Sequence, residues 1–242
     1  MNNIPVVILW AGCGRRISSA YGGMHKALIP LNGEPLMAHL LSNVSKAGAQ
    51  EIVPVLGYQS DIMLSAVESF GAAFDSVTPV FNPDYESTNN LASLLAAEEV
   101  LSGRSFVVVN GDMVFDHRIL KDILSLDCNA VAADLNEYPV QLDSPRLLIK
   151  DGRILDIGRH MSIENAQGYA VGIYRFDKSF SAEYFSLGRK LLEKNQNAGY
   201  HDVLIENLDR VCFIPSPTGS YRWMDVDEPA DVEKAESLLH II

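Results

Sequence analysis

The 242 residues carry a formal net charge of −12, and 48% of them are hydrophobic. That balance excludes a basic nucleic-acid-binding face and a polybasic membrane surface. It leaves room for an anionic small substrate held by a few local cations. The apolar content is enough for a substantial core, so one α/β domain over residues 1–242 is the simplest division. Cys13, Cys128 and Cys212 are widely spaced with no CxxC pair, which argues against a zinc knuckle or a disulfide framework and fits a reducing cytoplasm. The opening MNNIPVVILWAG has no basic leader, and no stretch approaches the ~20 apolar residues of a membrane span. The expected location is therefore cytoplasmic.

In chain order, residues 4–10 form an apolar, β-branched run that reads as a buried strand ending near Gly12. No helical pattern is evident directly after the loop that follows. Residues 35–47 place Leu36, Met37, Leu40, Leu41 and Val44 on one helical face. A strand is expected at 51–57, a helix at 60–70, a short strand at 79–82, a helix at 89–101 and a near-continuous apolar strand at 105–112. This alternation implies βαβ units and a parallel sheet. The second half reads as strands at 129–135, 147–150, 153–157 and 168–176, a helix at 179–195, strands at 211–215 and 221–226, and a helix from Pro229. Asp151-Gly152 marks a hairpin turn, and the half extends the same sheet.

The segment ILWAGCGRRI places a glycine pair directly after the first strand, where loop N–H groups can cradle phosphates. A dinucleotide fingerprint would need a third glycine and a helix, and a P-loop would need GxxxxGK[ST]; neither pattern is present. Arg15, Arg16 and, further on, Lys26 give the loop cationic arms suited to a triphosphate.

AGCGRRI followed by HKALIPLNGEPLM resembles the signature of the nucleotidyltransferase superfamily: an A-G-x-G-x-R loop, then P-K and G-x-P-[LM]. His25 stands where the family usually has proline. The resemblance implies a three-layer α/β/α Rossmann-like mixed sheet of the GT-A-like type. Ala11, Gly12, Cys13, Gly14 and Arg15 would hold the nucleotide, and Lys26 and Arg16 would take the cationic catalytic roles. Gly111-Asp112 after the central strand and Asp227 in the C-terminal D-x-P-x-D match the family's two magnesium aspartates. Mg²⁺ favours one or two carboxylates with phosphates and waters. Asp225 is a near neighbour of that shell, and Asp231 reads as part of the helix start. Ordinary readings stand beside these: a tight turn at the glycines, a turn at Asp112, and helix capping at Asp227.

NPDYESTNNLASL, residues 82–94, is similar to the choline-phosphate, polyol-phosphate and phosphonate cytidylyltransferases through Asn82, Tyr85, Asn89 or Asn90, and Ser93-Leu94. The likeness implies CTP as the favoured nucleotide. Gly57, Tyr58, Gln59, Asn89 and Asn90 are candidates for reading the base, with capping as the competing role of the two asparagines. Residues 1–128 would bind nucleotide, and 129–242 would bind the acceptor. Arg146 and Lys150 are candidates for its phosphate or phosphonate, and Asp202 or Glu206 for an amine. The expected partners are thus a nucleoside triphosphate and a small phosphorylated or phosphonate substrate, with no nucleic acid and no membrane; a homodimer is left open. A sugar-1-phosphate nucleotidyltransferase using UTP, dTTP or GTP shares the core motifs. A glycosyltransferase using Asp225-Val226-Asp227 or a non-catalytic nucleotide-binding module would leave Lys26 unexplained.

Overall fold

The computed structural model describes residues 3–136 and 144–242. Strand β1 (Val6–Trp10) leads through the glycine loop into one helical turn, α1 (Arg15–Ser18). A small ribbon of β2 (Pro30–Leu31) and β3 (Glu34–Pro35) precedes α2 (Leu36–Lys46). There follow β4 (Glu51–Leu56), α3 (Ser60–Phe70), the short strands β5 (Ser76–Val77) and β6 (Val80–Phe81), α4 (Asn90–Leu95) and α5 (Glu98–Leu101). The half closes with β7 (Phe106–Asn110), β8 (Met113–Phe115) and α6 (His117–Ser125). The second half contains β9 (Ala130–Asp134), β10 (Arg146–Lys150), β11 (Arg153–Gly158), β12 (Gly168–Phe176), α7 (Lys178–Lys194) and α8 (Asp202–Ile205). It ends with β13 (Ile214–Pro217), β14 (Trp223–Asp225) and α9 (Pro229–Leu239).

The main sheet runs β11-β10-β12-β7-β1-β4-β5, with β6 also on β4 and β9 bridging β12 to β13. Strands β7, β1, β4, β5 and β6 are parallel, whereas β12 is antiparallel to β7, β9 and β10. The sheet is therefore mixed, as the resemblance implies. Side-chain alternation builds a core on each face. Val7, Phe106, Val108, Tyr174 and Phe176 pack toward α4 and α7. Val6, Ile8, Trp10, Val107 and Val109 pack toward α2, α3 and α6. A third cluster joins Ile17, Ile29, Leu31 and Leu36 to Val114, Met224, Val226 and Ala235, which anchors α9 beside β8 and β14. Among the described residues no helix is long and apolar enough to cross a membrane.

Several element boundaries differ from those expected. The helix expected at 89–101 breaks near Ala97, whose N–H bonds to Leu94 O rather than one residue further back. The strand expected to reach Asp112 stops at Asn110, because Gly111 and Asp112 turn the chain into β8. The one-turn helix after the loop was not expected; Gly14, in the left-handed region at φ 57°, starts it. Helix α6 was also unforeseen, although Ile119, Leu120 and Ile123 are fully or almost fully buried on one face and Asp116 caps its start.

Phe176 stacks on Phe106 at 4.6 Å between ring centroids and meets Phe180, Tyr184 and Phe213. Its truncation in Phe176→Ala is expected to cost about 3–5 kcal/mol of unfolding free energy. Urea denaturation checks this, and a loss below about 1 kcal/mol would contradict the packing described.

Candidate active site

Three parallel strands deliver the site. Trp10 pairs with Leu56 and Leu9 with Asn110, so the loops after β1, β4 and β7 emerge at the same carboxyl edge, the usual ligand position in open α/β sheets. These loops carry Ala11 to Gly14, Gly57-Tyr58, and Gly111-Asp112. Tyr58 N–H donates to Ala11 O at 2.9 Å, and the Trp10 indole donates to Gly111 O at 2.8 Å. Both bonds tie neighbouring loops to β1 and its continuation. A Cβ at Gly57 would meet Ala11 O at 2.7 Å, and one at Gly111 would meet Leu9 O at 2.3 Å, so both glycines are required by close backbone approach.

The two aspartates are brought together by a second ladder. Strand β14 pairs antiparallel with β8, and Val226 N–H donates to Asp112 O at 2.8 Å. This places Asp227 beside Asp112. Lys26 Nζ lies 2.8 Å from Asp112 Oδ2 and 2.6 Å from Asp227 Oδ1, so both carboxylates converge on one point. Burial opposes the charge on Lys26, but the two carboxylates outweigh it and hold its pKa above the ordinary value. The lysine is therefore an ammonium. Arg16 leans toward the same place, with 3.4 Å to Asp227 and 3.5 Å to Glu228, from an exposed position where ion pairs are weak and easily exchanged. Asp231 accepts from the N–H groups of Asp227 and Glu228, so it fixes the backbone under Asp227 at the start of α9.

Lys26 itself is held from behind. His25 N–H donates to Gln59 Oε1, and the Gln59 amide donates to Gly23 O. His25 is buried, with Nε2 3.0 Å from Trp10 O and Nδ1 accepting from Ala27 N–H, which defines a neutral tautomer. Burial lowers its pKa to about 4, with the Lys26 charge acting in the same direction against the bond to Trp10. His25 is thus a packing and capping residue of the short turn Lys26–Leu28. A Cβ on Gly14 would lie 2.8 Å from Lys26 Cβ, so the second loop glycine gives the lysine its space.

A cleft of about 210 Å³ runs from Gly12 to Asp112, lined also by Ala11, Tyr85, Asn89, Asn90 and Gly111. Cys13, Arg15 and Tyr58 line a neighbouring cleft, which Tyr85 separates from the first. Asn89 accepts from Asn90 N–H and donates to Asn197 O, and Asn90 accepts from Tyr200 N–H at 2.9 Å. Both asparagines thus also hold the loop before α8. Tyr200 in turn donates to Asn110 Oδ1 at 3.0 Å, joining the second half of the chain to the cleft. Burial first, and then nearby phenols and Asp112 and Asp225, push the Tyr200 pKa well above its usual value, so it remains a donor. Neither Tyr200 nor Asn110 was singled out from sequence, since no motif marks them.

The acceptor candidates are dispersed. Arg146 donates to Arg159 O, Lys150 is exposed at the β10–β11 turn, and Asp202 accepts from Gly199 N–H. None of the three lines the cleft at Asp112. The register of β12 on β7 nevertheless carries residues 168–171, and with them β10, beyond the end of β7. They form a wall past the aspartates.

A metal could be held by Asp112 and Asp227. Asp112 Oδ1 is buried with no hydrogen-bond partner among the described residues, as suits an oxygen reserved for a cation. Among those residues no cluster of three or more His, Cys, Asp or Glu could hold an ion alone, so phosphate oxygens and waters would complete the shell.

Solved nucleotidyltransferases share this fold. The inositol-1-phosphate CTP transferase from T. maritima superposes with a TM-score of 0.83 over 99% of this chain and 96% of that one, at 19% identity. Residues 6–162 match the MobA-like NTP transferase domain, and the chain belongs to that family. The CMP-5'-(3-aminopropyl)phosphonate synthase of Streptomyces rubellomurinus is 27% identical over 247 residues, covering 96% of this chain. The 2-aminoethylphosphonate cytidylyltransferase of Lancefieldella rimae is 26% identical over 151 residues, covering 61% of it. The chain spans 38% of the first relative's length and 60% of the second's.

The buried neutral His25 has a pH consequence. The unfolded histidine binds its proton near pH 6.5 and the folded one near 4. The stabilisation is therefore complete above about pH 6.5 and declines as pH falls toward 4. Between neutral pH and about pH 4.5, wild type is expected to lose about 2–3 kcal/mol more than His25→Asn. Denaturation curves of both proteins at the two pH values check this, and equal losses would contradict it.

Proposed function

We propose that the chain is a Mg²⁺-dependent cytidylyltransferase. It joins CMP from CTP to a small phosphorylated alcohol or phosphonate, of the phosphocholine, polyol-phosphate or aminoethylphosphonate kind, and releases pyrophosphate. The observation that carries this reading is the convergence of Lys26, Asp112 and Asp227 at the mouth of the glycine-loop cleft. The names of the curated relatives favour cytidylyl transfer and a phosphonate acceptor.

The chemistry asks little covalent work of the protein. An acceptor phosphate or phosphonate oxygen is already ionised near neutral pH, so it needs no general base. Its lone pair forms the new bond to the α-phosphorus of CTP while the bond to the β-phosphate's bridging oxygen breaks, and pyrophosphate carries that electron pair away. Lys26 faces the α-phosphate and stabilises its added charge. Arg16 leaves its exposed ion pair to meet the outer phosphates. Magnesium, held by Asp112 and Asp227, supplies Lewis-acid neutralisation of phosphate charge when bound. The loop N–H groups from Ala11 to Gly14 fix the triphosphate in line with the acceptor. In this reading Asn90, which lines the cleft, would read the base, with Tyr58 reaching from the neighbouring cleft, since the Asn89 amide is engaged by Asn90 N–H and Asn197 O. Arg146 and Lys150 lie outside both clefts and would meet only an acceptor that extends toward β10.

The test is a matrix of the four NTPs against phosphocholine, 2-aminoethylphosphonate, polyol phosphates and sugar 1-phosphates, with and without Mg²⁺, reading pyrophosphate. Release is expected with CTP and a phosphonate or alcohol phosphate, and is expected to vanish with EDTA. Release only with UTP, dTTP or GTP and a sugar 1-phosphate would replace the cytidylyl reading. No release with any pair would overturn the proposal for these substrates.

Lys26→Ala and Asp112→Asn are each expected to lower kcat/KM at least about a hundredfold, the scale on which a lost transition-state charge contact is felt. Circular dichroism should show both folded. Near-normal turnover in either variant would refute the role given to that residue.

A further inference from the structure

Cys128 and Cys212 lie outside the cleft and have no part in the transfer chemistry, yet the fold sets them near each other. Strand β13 runs parallel to β9 with Ile214 facing Ala130, and Ile214 N–H donates to Asn129 O at 3.1 Å. The segments leading into this pairing, with Cys128 at a bend just before β9 and Cys212 just ahead of β13, therefore enter the sheet side by side. Neighbouring strands are about 4.8 Å apart, inside the Cα separation of about 4.4–6.8 Å that a disulfide bridges.

The two thiols also share surroundings. Ala130 and Ile214 pack in the cluster on the α6 face, while Phe213 enters the opposite cluster. Cys128 at its bend and Cys212 ahead of β13 are near enough for the charge of Cys212 to act on Cys128. Both line one surface cleft of about 370 Å³ with Asp177 and Arg210. Both are free thiols, Cys212 exposed and Cys128 half-buried. Burial raises the Cys128 pKa, and the Arg175 guanidinium pulls the other way. Arg175 faces Ala130 from β12, on the other flank of β9, and is only 3% exposed. Its Nε has no hydrogen-bond partner, and among the described residues it makes no ion pair with a carboxylate. Its Nη1 donates to Leu124 O, and its charge is felt by Asp127 and Asp177 as well as by Cys128.

We infer that Cys128 and Cys212 form a modification site: a dithiol that a low-molecular-weight disulfide oxidises to an intramolecular disulfide. The exposed Cys212 thiolate attacks one sulfur of the external disulfide and releases one thiol, leaving a mixed disulfide on Cys212. Cys128, once it has lost its proton to solvent, then attacks Cys212 Sγ and releases the second thiol. Two protein thiols and one external disulfide become one protein disulfide and two small thiols, so electrons and protons balance. A bond here would staple β9 to β13 at the end of the sheet remote from Asp112, and reduction would reopen it.

The experiment treats the whole chain with glutathione disulfide, alkylates remaining thiols with iodoacetamide and reads intact mass and peptides. Wild type is expected to lose the mass of two hydrogen atoms, with the Cys128 and Cys212 peptides linked and Cys13 unlinked. Cys128→Ser is expected to keep a glutathione adduct on Cys212, because the resolving thiol is gone. Separate, persistent adducts on Cys128 and Cys212 of wild type would overturn the inference. So would free, alkylated thiols at both positions, or a link from either to Cys13. Thermal unfolding of the serine variant establishes that its adduct is read on folded protein.

Discussion

The site is organised by one ammonium held between two carboxylates that are distant in sequence. Asp112 and Asp227 are each about one-third exposed, whereas the Lys26 side chain is 10% exposed. Two carboxylates this close repel each other, and a lysine this buried loses hydration; each arrangement is unfavourable alone. Together they are mutually compensating, and that explains why burial does not depress the Lys26 pKa. The surrounding structure holds the three groups at this separation. Gly14 leaves room for the lysine stem, Gln59 and His25 fix the backbone that presents it, and the β8–β14 ladder closes the distance between the acids.

The two halves of the sheet do different work in this arrangement. The parallel strands β1, β4 and β7 present loop backbone at one edge, and backbone N–H groups read phosphate without regard to the base or acceptor. The antiparallel strands overshoot that edge, since β12 continues past β7 and carries β10 with it. A wall of side chains rather than backbone results. Tyr200 couples the two regions through Asn110, and Asn90 couples them through Tyr200 N–H. The residues from 82 to 94 therefore do more than line the cleft; Asn89 and Asn90 also hold the loop between α7 and α8.

What could be read from sequence divides along physical lines. The glycine loop, Lys26, Gly111-Asp112 and the D-x-P-x-D around Asp227 were legible because each needs a particular residue type at a fixed local spacing. The parallel strands were legible because burial on both faces leaves continuous apolar runs. Helix α6 was missed because HRILKDILS has only three buried positions and polar residues between them. The breaks at Ala97 and Asn110 were missed because they depend on single backbone bonds. Gln59 was considered for reading the base, but its amide is occupied by His25 N–H and Gly23 O, a partnership with backbone that leaves no trace in residue type. The proximity of Cys128 and Cys212 depends on the β9–β13 register, which pairs segments far apart along the chain.

The charge distribution gives the acidic chain a coherent logic. A protein of net charge −12 repels anions at long range. Its cleft must therefore be selective through local fields rather than overall attraction. Arg15, Arg16 and Lys26 gather the cations at the glycine loop, yet Lys26 and Arg16 are already neutralised by Asp112, Asp227 and Glu228. A bare polyanion entering the cleft would have to compete with those carboxylates for its cations. Under the proposed function, a cation arriving with the triphosphate would relieve that competition, because the carboxylates would bind it and leave Lys26 and Arg16 to the phosphates. The proposed function would then have the acids disfavour a lone anion and admit a cation-paired one, with the release of the bridging Lys26 coupling the two events.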